Sequence, residues 1–399
     1  MTKINLAALM LAAGAGASFS SGALAQATTA MPVGPMGQPG VPFSGARPTA
    51  ENQAVLDALM ALGTKPYHTL SPQAARLQPT FTDGVMAVLR QQGRPTTPPP
   101  GTTERNISVD GAAGKISALM ITPSNARGPL PVILYFHGGG FVLADPKVYA
   151  GGARGLARQA QAIVVSVDYR RAPEAPFPAQ HDDALASYRW LLANAARLGG
   201  DPTRIAFAGE SAGGNLAVAT AMQARDAGLQ LPRHILSVYP IAGSDLNTPS
   251  YQENSNAMPL SRALMAWFFR YVPRTPADLK DPRIDLVNAN LAGLPPVSIV
   301  AAQIDPLRSE GELLAQRLTA AGVVVERQEY AGATHEFFGA DAVIPAAGQA
   351  QQWAGQRLRA ALSGNAPAAM PGIDPAPAQA PEAEPMSPMP APSPTGERG

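Results

Sequence analysis

Residues 204–215 read Arg-Ile-Ala-Phe-Ala-Gly-Glu-Ser-Ala-Gly-Gly-Asn, which is a buried strand pattern running into a glycine-rich turn. The turn has the spacing G-x-S-x-G, with Gly209, Ser211 and Gly213 at its fixed positions, and a helical pattern follows. A strand, a sharp turn and a helix in this order present a serine hydroxyl to a cleft above a sheet. Side chains at 209 and 213 would strike the neighbouring backbone, so the turn requires glycine there. The stretch predicts a nucleophilic serine on a strained turn.

Short β-branched runs alternate with longer helical patterns on both sides of this turn. Such alternation predicts an α/β fold with a mostly parallel sheet and helices on both faces. Predicted strands lie at 116–122, 132–136, 162–168, 204–208, 235–239, 297–302 and 323–329. Predicted helices lie at 148–161, 181–198, 215–227, 310–321 and 348–362. Two segments fall outside the alternation, at about 50–100 and at 243–271. Substrates of open α/β sheets bind beyond the carboxyl ends of the strands, so we expect both segments to form a helical cap there.

The first 25 residues are predicted to be a secretory signal peptide. Lys3 supplies a positive charge, residues 4–17 form an apolar run, and Ala23-Leu24-Ala25 fits the small-x-small cleavage rule. The run is shorter than the roughly 20 residues that a spanning helix needs. We therefore expect an exported protein, periplasmic or secreted, with no membrane span.

Composition limits the folded region to about residues 50–364. Residues 26–49 carry five prolines and residues 366–399 carry ten, without a collagen period. Such segments cannot bury enough apolar surface to fold. We expect a disordered linker at 26–49 and a disordered Pro/Ala-rich tail at 365–399. An alternative is a structural protein of the cell envelope that acts through this tail.

Charge and cysteine content exclude several function classes. Lys+Arg 30 against Asp+Glu 29 gives a formal net charge of +1, so no broad basic face is available for nucleic acid. The chain has no cysteine, which excludes disulfides, thiolate nucleophiles and cysteine-based zinc sites. The sequence leaves the oligomeric state open, and a dimer is one option.

A second glycine-rich stretch, His137-Gly138-Gly139-Gly140-Phe141, directly follows the strand at 132–136. Three glycines allow the backbone to turn its N–H groups toward a reacting oxygen. A phosphate-binding loop is the alternative, but neither G-x-x-x-x-G-K-[ST] nor G-x-G-x-x-G is present here. The stretch therefore favours an oxyanion hole, and His137 is expected to fix the loop by hydrogen bonding.

A serine hydroxyl needs a base to accept its proton and a carboxylate to orient that base. His335 and Asp305 both follow predicted strands, at the carboxyl ends where such groups belong. The order Ser211, Asp305, His335 is that of hydrolases with a nucleophile turn. The other histidines are expected to be structural: His68, His137, His181 and His234.

These stretches together resemble the bacterial hormone-sensitive-lipase-like esterases of the α/β-hydrolase fold. The resemblance covers about residues 108–361. It rests on HGGGF at 137–141, VDYRRAPE at 167–174, the Asp182-Asp183 pair, GESAGGN at 209–215, Tyr239-Pro240, DPLR at 305–308 and the His335 loop. It departs from the family pattern at Glu336, where glycine is usual, and at Arg171, where an apolar residue is usual.

The resemblance implies a catalytic triad of Ser211, Asp305 and His335. It also implies an oxyanion hole made by Gly138, Gly139 and Gly140 of the glycine-rich stretch together with Ala212 after the serine. The donors are the backbone N–H groups of Gly139, Gly140 and Ala212. Structural support for the site is expected from His137, Gly209, Glu210, Gly213 and Glu174.

The predicted function is hydrolysis of short- to medium-chain carboxylic esters through an acyl-enzyme, with a small-molecule ester as substrate. We expect no metal and no organic cofactor. The bulky Met265 and Trp267-Phe268-Phe269 could narrow the acyl pocket, or could be cap core. Two alternatives remain. One is a catalytically weak binding protein with the same fold, and the other is an amidase or acyltransferase with the same triad.

Overall fold

The computed structural model describes residues 46–125 and 127–363 of the chain. The predicted signal peptide, most of the predicted linker and the Pro/Ala-rich tail lie outside the described residues. Eight strands form one sheet: β1 (Thr102–Gly111), β2 (Gly114–Pro123), β3 (Leu130–Phe136), β4 (Ile163–Val167), β5 (Gly200–Glu210), β6 (Ile235–Val238), β7 (Val297–Ile304) and β8 (Val325–Thr334).

Ten α-helices accompany the sheet in the described part of the chain. They are α1 (Ala50–Ala61), α2 (Pro72–Ala75), α3 (Phe81–Gln91), α4 (Ala150–Ala160), α5 (Ala179–Asn194), α6 (Ala212–Asp226), α7 (Pro249–Glu253), α8 (Arg262–Tyr271), α9 (Arg308–Ala320) and α10 (Pro345–Leu362). None of the described helices is long and apolar enough to cross a bilayer.

The strand order is β1-β2-β4-β3-β5-β6-β7-β8. Strands β3 to β8 pair in parallel, and the β1–β2 hairpin joins the sheet through an antiparallel pairing of β2 with β4. The order reverses direction around β3, so the carboxyl ends of β3 and β5 meet near the middle of the sheet. Crevices at such a reversal are where ligands of open α/β sheets bind.

Alternating side chains of the central strands enter two separate cores. In β3, Val132, Leu134 and Phe136 pack on the face covered by α5, α6 and α9. Ile133 and Tyr135 of the same strand pack on the face covered by α4 and α10. Both faces of the parallel strands are therefore buried, which is why their sequences read as continuous apolar runs.

The predicted α/β architecture is confirmed, and all seven predicted strands are present. Sequence analysis missed β1, the edge strand. Its burial is slight, because only Val109 of its ten residues is buried, so its sequence has no apolar alternation to reveal it. Pairing with β2 along its whole length defines it instead.

The two segments expected to form a cap occupy different places. Helices α1 and α3 pack into the core on the α4 and α10 face, and the amide nitrogen of Thr49 donates to the carbonyl of Gly332, 3.0 Å away. Helix α8 of the 243–271 insert packs into the opposite core. Tyr67, Phe81 and Phe268 from these segments line a pocket at the carboxyl ends of the strands.

Helices α4 and α10 touch through glycines. A Cβ added at Gly355 of α10 would stand 2.2 Å from Cβ of Gln159 in α4, whereas a Cβ at Gly348 of the same helix would meet nothing within 4 Å. Gly355 is therefore needed for the close packing of α10 on α4, whereas Gly348 is not.

This difference predicts opposite effects of one substitution at two positions of α10. Gly355→Ala should lower the free energy of unfolding by about 1–3 kcal/mol through overpacking. Gly348→Ala should leave it unchanged or raise it by up to about 1 kcal/mol, because alanine favours the helix. Urea unfolding of both variants measures this, and equal effects at the two positions would contradict the packing argument.

Candidate active site

Ser211 lies on a sharp turn between β5 and α6. Its backbone has φ 58° and ψ −116°, a conformation that side chains rarely adopt. Its amide nitrogen donates to the carbonyl of Val238, 2.8 Å away, which fixes the turn to β6. A Cβ at Gly209 would stand 2.1 Å from the carbonyl oxygen of Gly213, and a Cβ at Gly213 would stand 1.9 Å from that of Phe136. Both glycines are therefore required by contact.

The structure brings Ser211, His335 and Asp305 into one chain of hydrogen bonds. The hydroxyl of Ser211 lies 3.0 Å from Nε2 of His335, and Nδ1 of His335 lies 2.6 Å from Oδ2 of Asp305. Because the carboxylate can only accept, Nδ1–H donates to it and Nε2 is free to accept from the serine. All three side chains are almost completely buried.

The loop that carries Asp305 is held by the 243–271 insert. Asn254 donates to the backbone carbonyl of Asp305 at 3.3 Å, and the hydroxyl of Ser250 donates to that of Pro306 at 2.5 Å. Oδ1 of Asp305 accepts from the amide of Leu307 at 2.8 Å. Sequence analysis gave the insert only a capping role. Its first helix, α7, also holds the loop of Asp305, and no motif indicated this.

The glycine-rich turn after β3 lies beside Ser211. Gly139 and Gly140 have φ 98° and 59° and line the same small pocket as Ser211 and His335. The carbonyl of Gly139 accepts from the amides of Val142 and Leu143 at 3.0 and 2.8 Å, which closes the turn.

Two other predicted oxyanion-hole residues occupy different positions. Ala212 is the first residue of α6, directly after Ser211, and it is fully buried. Gly138 packs against Tyr149, whose hydroxyl would lie 2.5 Å from an added Cβ. Gly138 also uses its carbonyl to accept from Nδ1 of His137 at 2.8 Å. Gly138 is therefore placed as a packing position under the turn, while Gly139 and Gly140 face the pocket.

His137 is buried beneath the glycine-rich turn, as expected for a residue that fixes it. Its ring stacks on Tyr169 with centroids 4.2 Å apart, and the Tyr169 hydroxyl donates to the His137 carbonyl at 2.8 Å. Burial lowers the pKa of His137 to about 4, so it stays neutral at physiological pH.

Arg76 anchors the far side of the same turn, and sequence analysis did not identify it. Its Nε donates to the carbonyl of Val142 at 2.8 Å and its Nη2 to that of Ala172 at 2.7 Å. The same guanidinium forms a bidentate pair with Glu174 at 2.8 and 2.7 Å. Glu174, predicted as structural support, therefore acts by orienting Arg76.

Arg171, a departure from the family pattern, also touches this turn. Its guanidinium donates to the carbonyl of Ala144 and lies 3.7 Å from Asp168. Arg171 also lines the small pocket. The additional charge thus has partners: it ties the loop after β4 to the end of the glycine-rich turn.

Glu210, beside the nucleophile, is buried and has no cationic partner among the described residues. The hydroxyls of Tyr135 and Tyr239 both donate to its carboxylate. Burial raises the pKa of Glu210 to about 7, and these two hydrogen bonds counteract part of that rise. The ring centroid of Tyr239 lies 4.5 Å from that of His335, so Tyr239 connects Glu210 to the His335 ring.

Glu336, the other departure from the family pattern, directly follows His335. Its φ is 67°, in the left-handed region that glycine adopts easily, so a glutamate takes up here a backbone conformation that favours glycine. Its Oε1 accepts from the hydroxyl of Tyr149 at 2.9 Å.

His335 is distinguished by its charge environment. Burial by itself lowers its pKa, but Asp305, by charge and hydrogen bond, followed by Glu336 and Glu210, raises the pKa above 6.5. Burial lowers the pKa of His181 and of His234 to about 4. Those two histidines pair with Asn215 at 3.0 Å and with Ser298 at 2.9 Å, as expected for structural residues.

Two cavities adjoin at this site. The smaller, of about 120 Å³, contains Ser211 and His335. The larger, of about 590 Å³, lies between α3, the proline-rich segment at 95–100 and α4. Phe81, Val148 and Glu336 line both cavities. Phe268 lines the smaller one, whereas Met265 and Trp267 are core residues of the insert.

The contacts of Arg76 predict a selective loss of activity. Arg76→Lys removes the bidentate pair and at least one carbonyl contact, so the glycine-rich turn should shift and kcat should fall about ten-fold or more. Steady-state kinetics measures this. Arg204→Lys is the control, since Arg204 likewise joins a carboxylate (Asp201, 2.7 Å) and a carbonyl (Pro129, 2.6 Å), far from the site. An equal loss in both variants would contradict the role of Arg76.

Comparison with known proteins places the chain among esterases. The sequence profile of the family described as alpha/beta hydrolase fold matches residues 133–339. Carboxylesterase NlhH of Mycobacterium tuberculosis is 42% identical over 282 residues, which are 68% of this chain and 88% of that relative. Esterase LipI of the same organism is 40% identical over 293 residues, covering 71% and 91% of the two chains.

Solved structures agree with the sequence relatives. A thermostable esterase from Pseudomonas putida superposes with a TM-score of 0.72 at 31% identity, covering 82% of this chain and 99% of that one. A hyperthermophilic esterase from Pyrobaculum calidifontis gives a TM-score of 0.70 at 32% identity, covering 79% and 98%. The chain therefore belongs to the hormone-sensitive-lipase-like esterases of the α/β-hydrolase fold, and it is a serine ester hydrolase.

Proposed function

We propose that the protein hydrolyses short- to medium-chain carboxylic esters with Ser211, His335 and Asp305 as its triad. In the first step Oγ of Ser211 attacks the ester carbonyl carbon while Nε2 of His335 accepts the serine proton. Asp305 stabilises the resulting imidazolium. The oxyanion receives hydrogen bonds from the backbone N–H groups of Gly139, Gly140 and Ala212. The C–O bond to the alcohol then breaks, and the alcohol leaves with the proton from His335.

The second step returns the enzyme to its starting state. Water attacks the acyl-enzyme carbonyl as His335 accepts a water proton, and the same N–H groups receive the oxyanion. The bond to Ser211 then breaks, His335 gives its proton back to Oγ, and the carboxylic acid leaves. Loss of one oxyanion donor should cost about 3–4 kcal/mol of transition-state stabilisation.

One observation carries this proposal: the unbroken chain of hydrogen bonds from Ser211 through His335 to Asp305, 3.0 and 2.6 Å long. A binding protein that had kept the fold without the chemistry would have no need of this tautomer-fixing arrangement. The relatives are named carboxylesterase and esterase, which favours an ester over an amide as substrate.

The cavities support the proposed chain lengths. A space of about 120 Å³ around Ser211 and His335 suits a short acyl group. Longer chains need further room, and the larger cavity begins on the other side of Phe81 and Val148. We propose that the acyl chain of medium-length esters extends toward this larger cavity. An esterase named ethyl acetate hydrolase from Pseudomonas putida, 35% identical over 53% of this chain, acts on a short ester by its name.

The proposed triad predicts a strict dependence on two side chains. Ser211→Ala and His335→Ala should each lower kcat for p-nitrophenyl butyrate by about 10³-fold or more, since members of a triad act as a unit. His68→Ala, a change of an exposed histidine, should leave kcat unchanged. Activity in Ser211→Ala equal to that of wild type would refute the mechanism, and absence of activity in the wild type would instead favour the binding-protein alternative.

Filling the larger cavity should change chain-length preference. Met86 of α3 lines that cavity only, and Met86→Trp should reduce kcat/KM for p-nitrophenyl octanoate several-fold while leaving the acetate rate near wild type. Met60→Trp makes the same change at a position of α1 that is 57% exposed, and it should alter neither rate. If Met86→Trp slows acetate and octanoate equally, the acyl chain does not use this cavity.

A further inference from the structure

Two loops of the site are joined by a contact that the mechanism above does not use. Glu336 follows the proposed base, and its Oε1 accepts from the hydroxyl of Tyr149 at 2.9 Å. Tyr149 precedes α4, and its hydroxyl lies against Gly138 of the glycine-rich turn so closely that an added Cβ would stand 2.5 Å away. One tyrosine thus touches both the histidine loop and the turn proposed to bind the oxyanion.

We propose that Glu336 is a positioning residue for His335 and that its hydrogen bond from Tyr149 ties the histidine loop to the glycine-rich turn. This inference rests on the proposed function, because it assigns Glu336 a role toward the base named there. It also explains why a glutamate takes up the left-handed backbone conformation where a glycine would be free of strain. The side chain supplies a contact and a charge that glycine cannot.

The Tyr149–Glu336 contact can couple the position of the glycine-rich turn to that of the histidine loop. Tyr149 is 6% exposed and its ring also lies 6.2 Å from that of His137, beneath the same turn. A phenol held in this way has little freedom to move. Displacement of the glycine-rich turn would therefore shift the Tyr149 hydroxyl. The shift would pass through the hydrogen bond to Glu336, which is the next residue after His335 in the chain.

The charge of Glu336 acts on His335 in the same direction as that of Asp305. A carboxylate near a histidine favours the imidazolium, and Glu336 is the second carboxylate, after Asp305, that raises the pKa of His335. Burial raises the pKa of Glu336 itself, while His335 and the Tyr149 hydrogen bond hold it down. Glu336 keeps a small exposed surface where it lines the two cavities, and water there can solvate an ionised carboxylate.

Other groups face this pair from the neighbouring elements. Around His335 they are Asp305 after β7, Glu210 at the end of β5, Ser211 before α6 and Tyr239 after β6. Around Glu336 they are Tyr149 before α4, Tyr67 from the N-terminal segment and, across the larger cavity, Arg94, Lys147, Arg154, Arg158 and Asp341. The smaller cavity adds Asp145 and two arginines that are already paired, Arg76 with Glu174 and Arg171 with Asp168. Arg154 and Arg158 are paired with Glu104 and Asp341. The acids nearest the base thus outnumber its cationic neighbours.

The sign of the pH effect follows from the role of a base. His335 must be neutral to accept the serine proton, so activity is lost as pH falls through its pKa. Glu336→Gln removes the charge but keeps an oxygen that accepts from Tyr149. The pKa of His335 should then fall, and the acidic limb of the kcat/KM profile should move to lower pH. The ratio of kcat/KM at about pH 5.5 to that at about pH 8 should rise roughly three-fold or more.

The tie between the loops is tested separately. Tyr149→Phe removes the hydrogen bond but keeps the carboxylate, so kcat at about pH 8 should fall about ten-fold through misplacement of the turn or base. Glu336→Gly removes both features while suiting the backbone, and it should show the pH change and the lower kcat together. Glu312→Gln is the matched control: it makes the same substitution at an exposed position of α9 that lines neither cavity, and it should leave the pH profile unchanged.

Full-length protein is assayed on p-nitrophenyl butyrate, with thermal melting to confirm that each variant is folded. A pH profile of Glu336→Gln identical to that of wild type would overturn the electrostatic role. A wild-type kcat in folded Tyr149→Phe would overturn the tie. Ser211→Ala, assayed in parallel, separates these outcomes from failure of the proposed function. If the proposed function is wrong, Ser211→Ala hydrolyses the ester as fast as wild type; if only the role of Glu336 is wrong, Ser211→Ala is still inactive.

Discussion

The rest of the site depends on the close approach of two backbones at the turn that carries Ser211. The Cα of Gly213 lies so near the carbonyl of Phe136 that no side chain fits between them. This contact joins the start of α6 to the end of β3, and it therefore sets the distance between the nucleophile and the glycine-rich turn. The strained φ of 58° at Ser211 is maintained by the surrounding packing and by the hydrogen bond from its amide to β6.

Much of this arrangement was predictable because it depends on local sequence. Buried parallel strands have apolar runs, a sharp turn requires glycine, and the carboxyl ends of parallel strands bring Asp305 and His335 to one edge. The rest depends on contacts between distant segments. Arg76 reaches the glycine-rich turn from 66 residues away, and Ser250 reaches the Asp305 loop from 56 residues away. A single arginine or serine carries no sequence signal for a partner at such a distance. Strand β1 was not predicted because it lies at the exposed edge of the sheet, where a strand can form without the alternating apolar residues that burial requires.

The environment of each of the four buried histidines separates the proposed base from its structural counterparts. His137, His181 and His234 are buried next to neutral partners, so burial dominates and their pKa values fall to about 4. His335 is equally buried, but its neighbours are carboxylates, and its pKa rises instead. Desolvation and charge act in opposite directions on a buried imidazole, and the neighbouring acids decide which one prevails. The position of His335 after a strand was enough to propose it as the base from sequence, whereas its raised pKa depends on contacts that only the fold shows.

The acids around His335 raise a physical problem of their own, because like charges in a buried site repel each other. In the described part of this structure the carboxylates of Glu210 and Glu336 are hydrogen-bonded by tyrosine hydroxyls and not by basic side chains. Tyr135 and Tyr239 donate to Glu210, and Tyr149 donates to Glu336. A hydroxyl stabilises a carboxylate by hydrogen bonding without introducing a positive charge. An arginine in the same place would stabilise the acid more strongly, but it would also disfavour the imidazolium that the proposed mechanism forms at His335. Tyrosine partners therefore allow the carboxylates to be buried while preserving the negative field at the base.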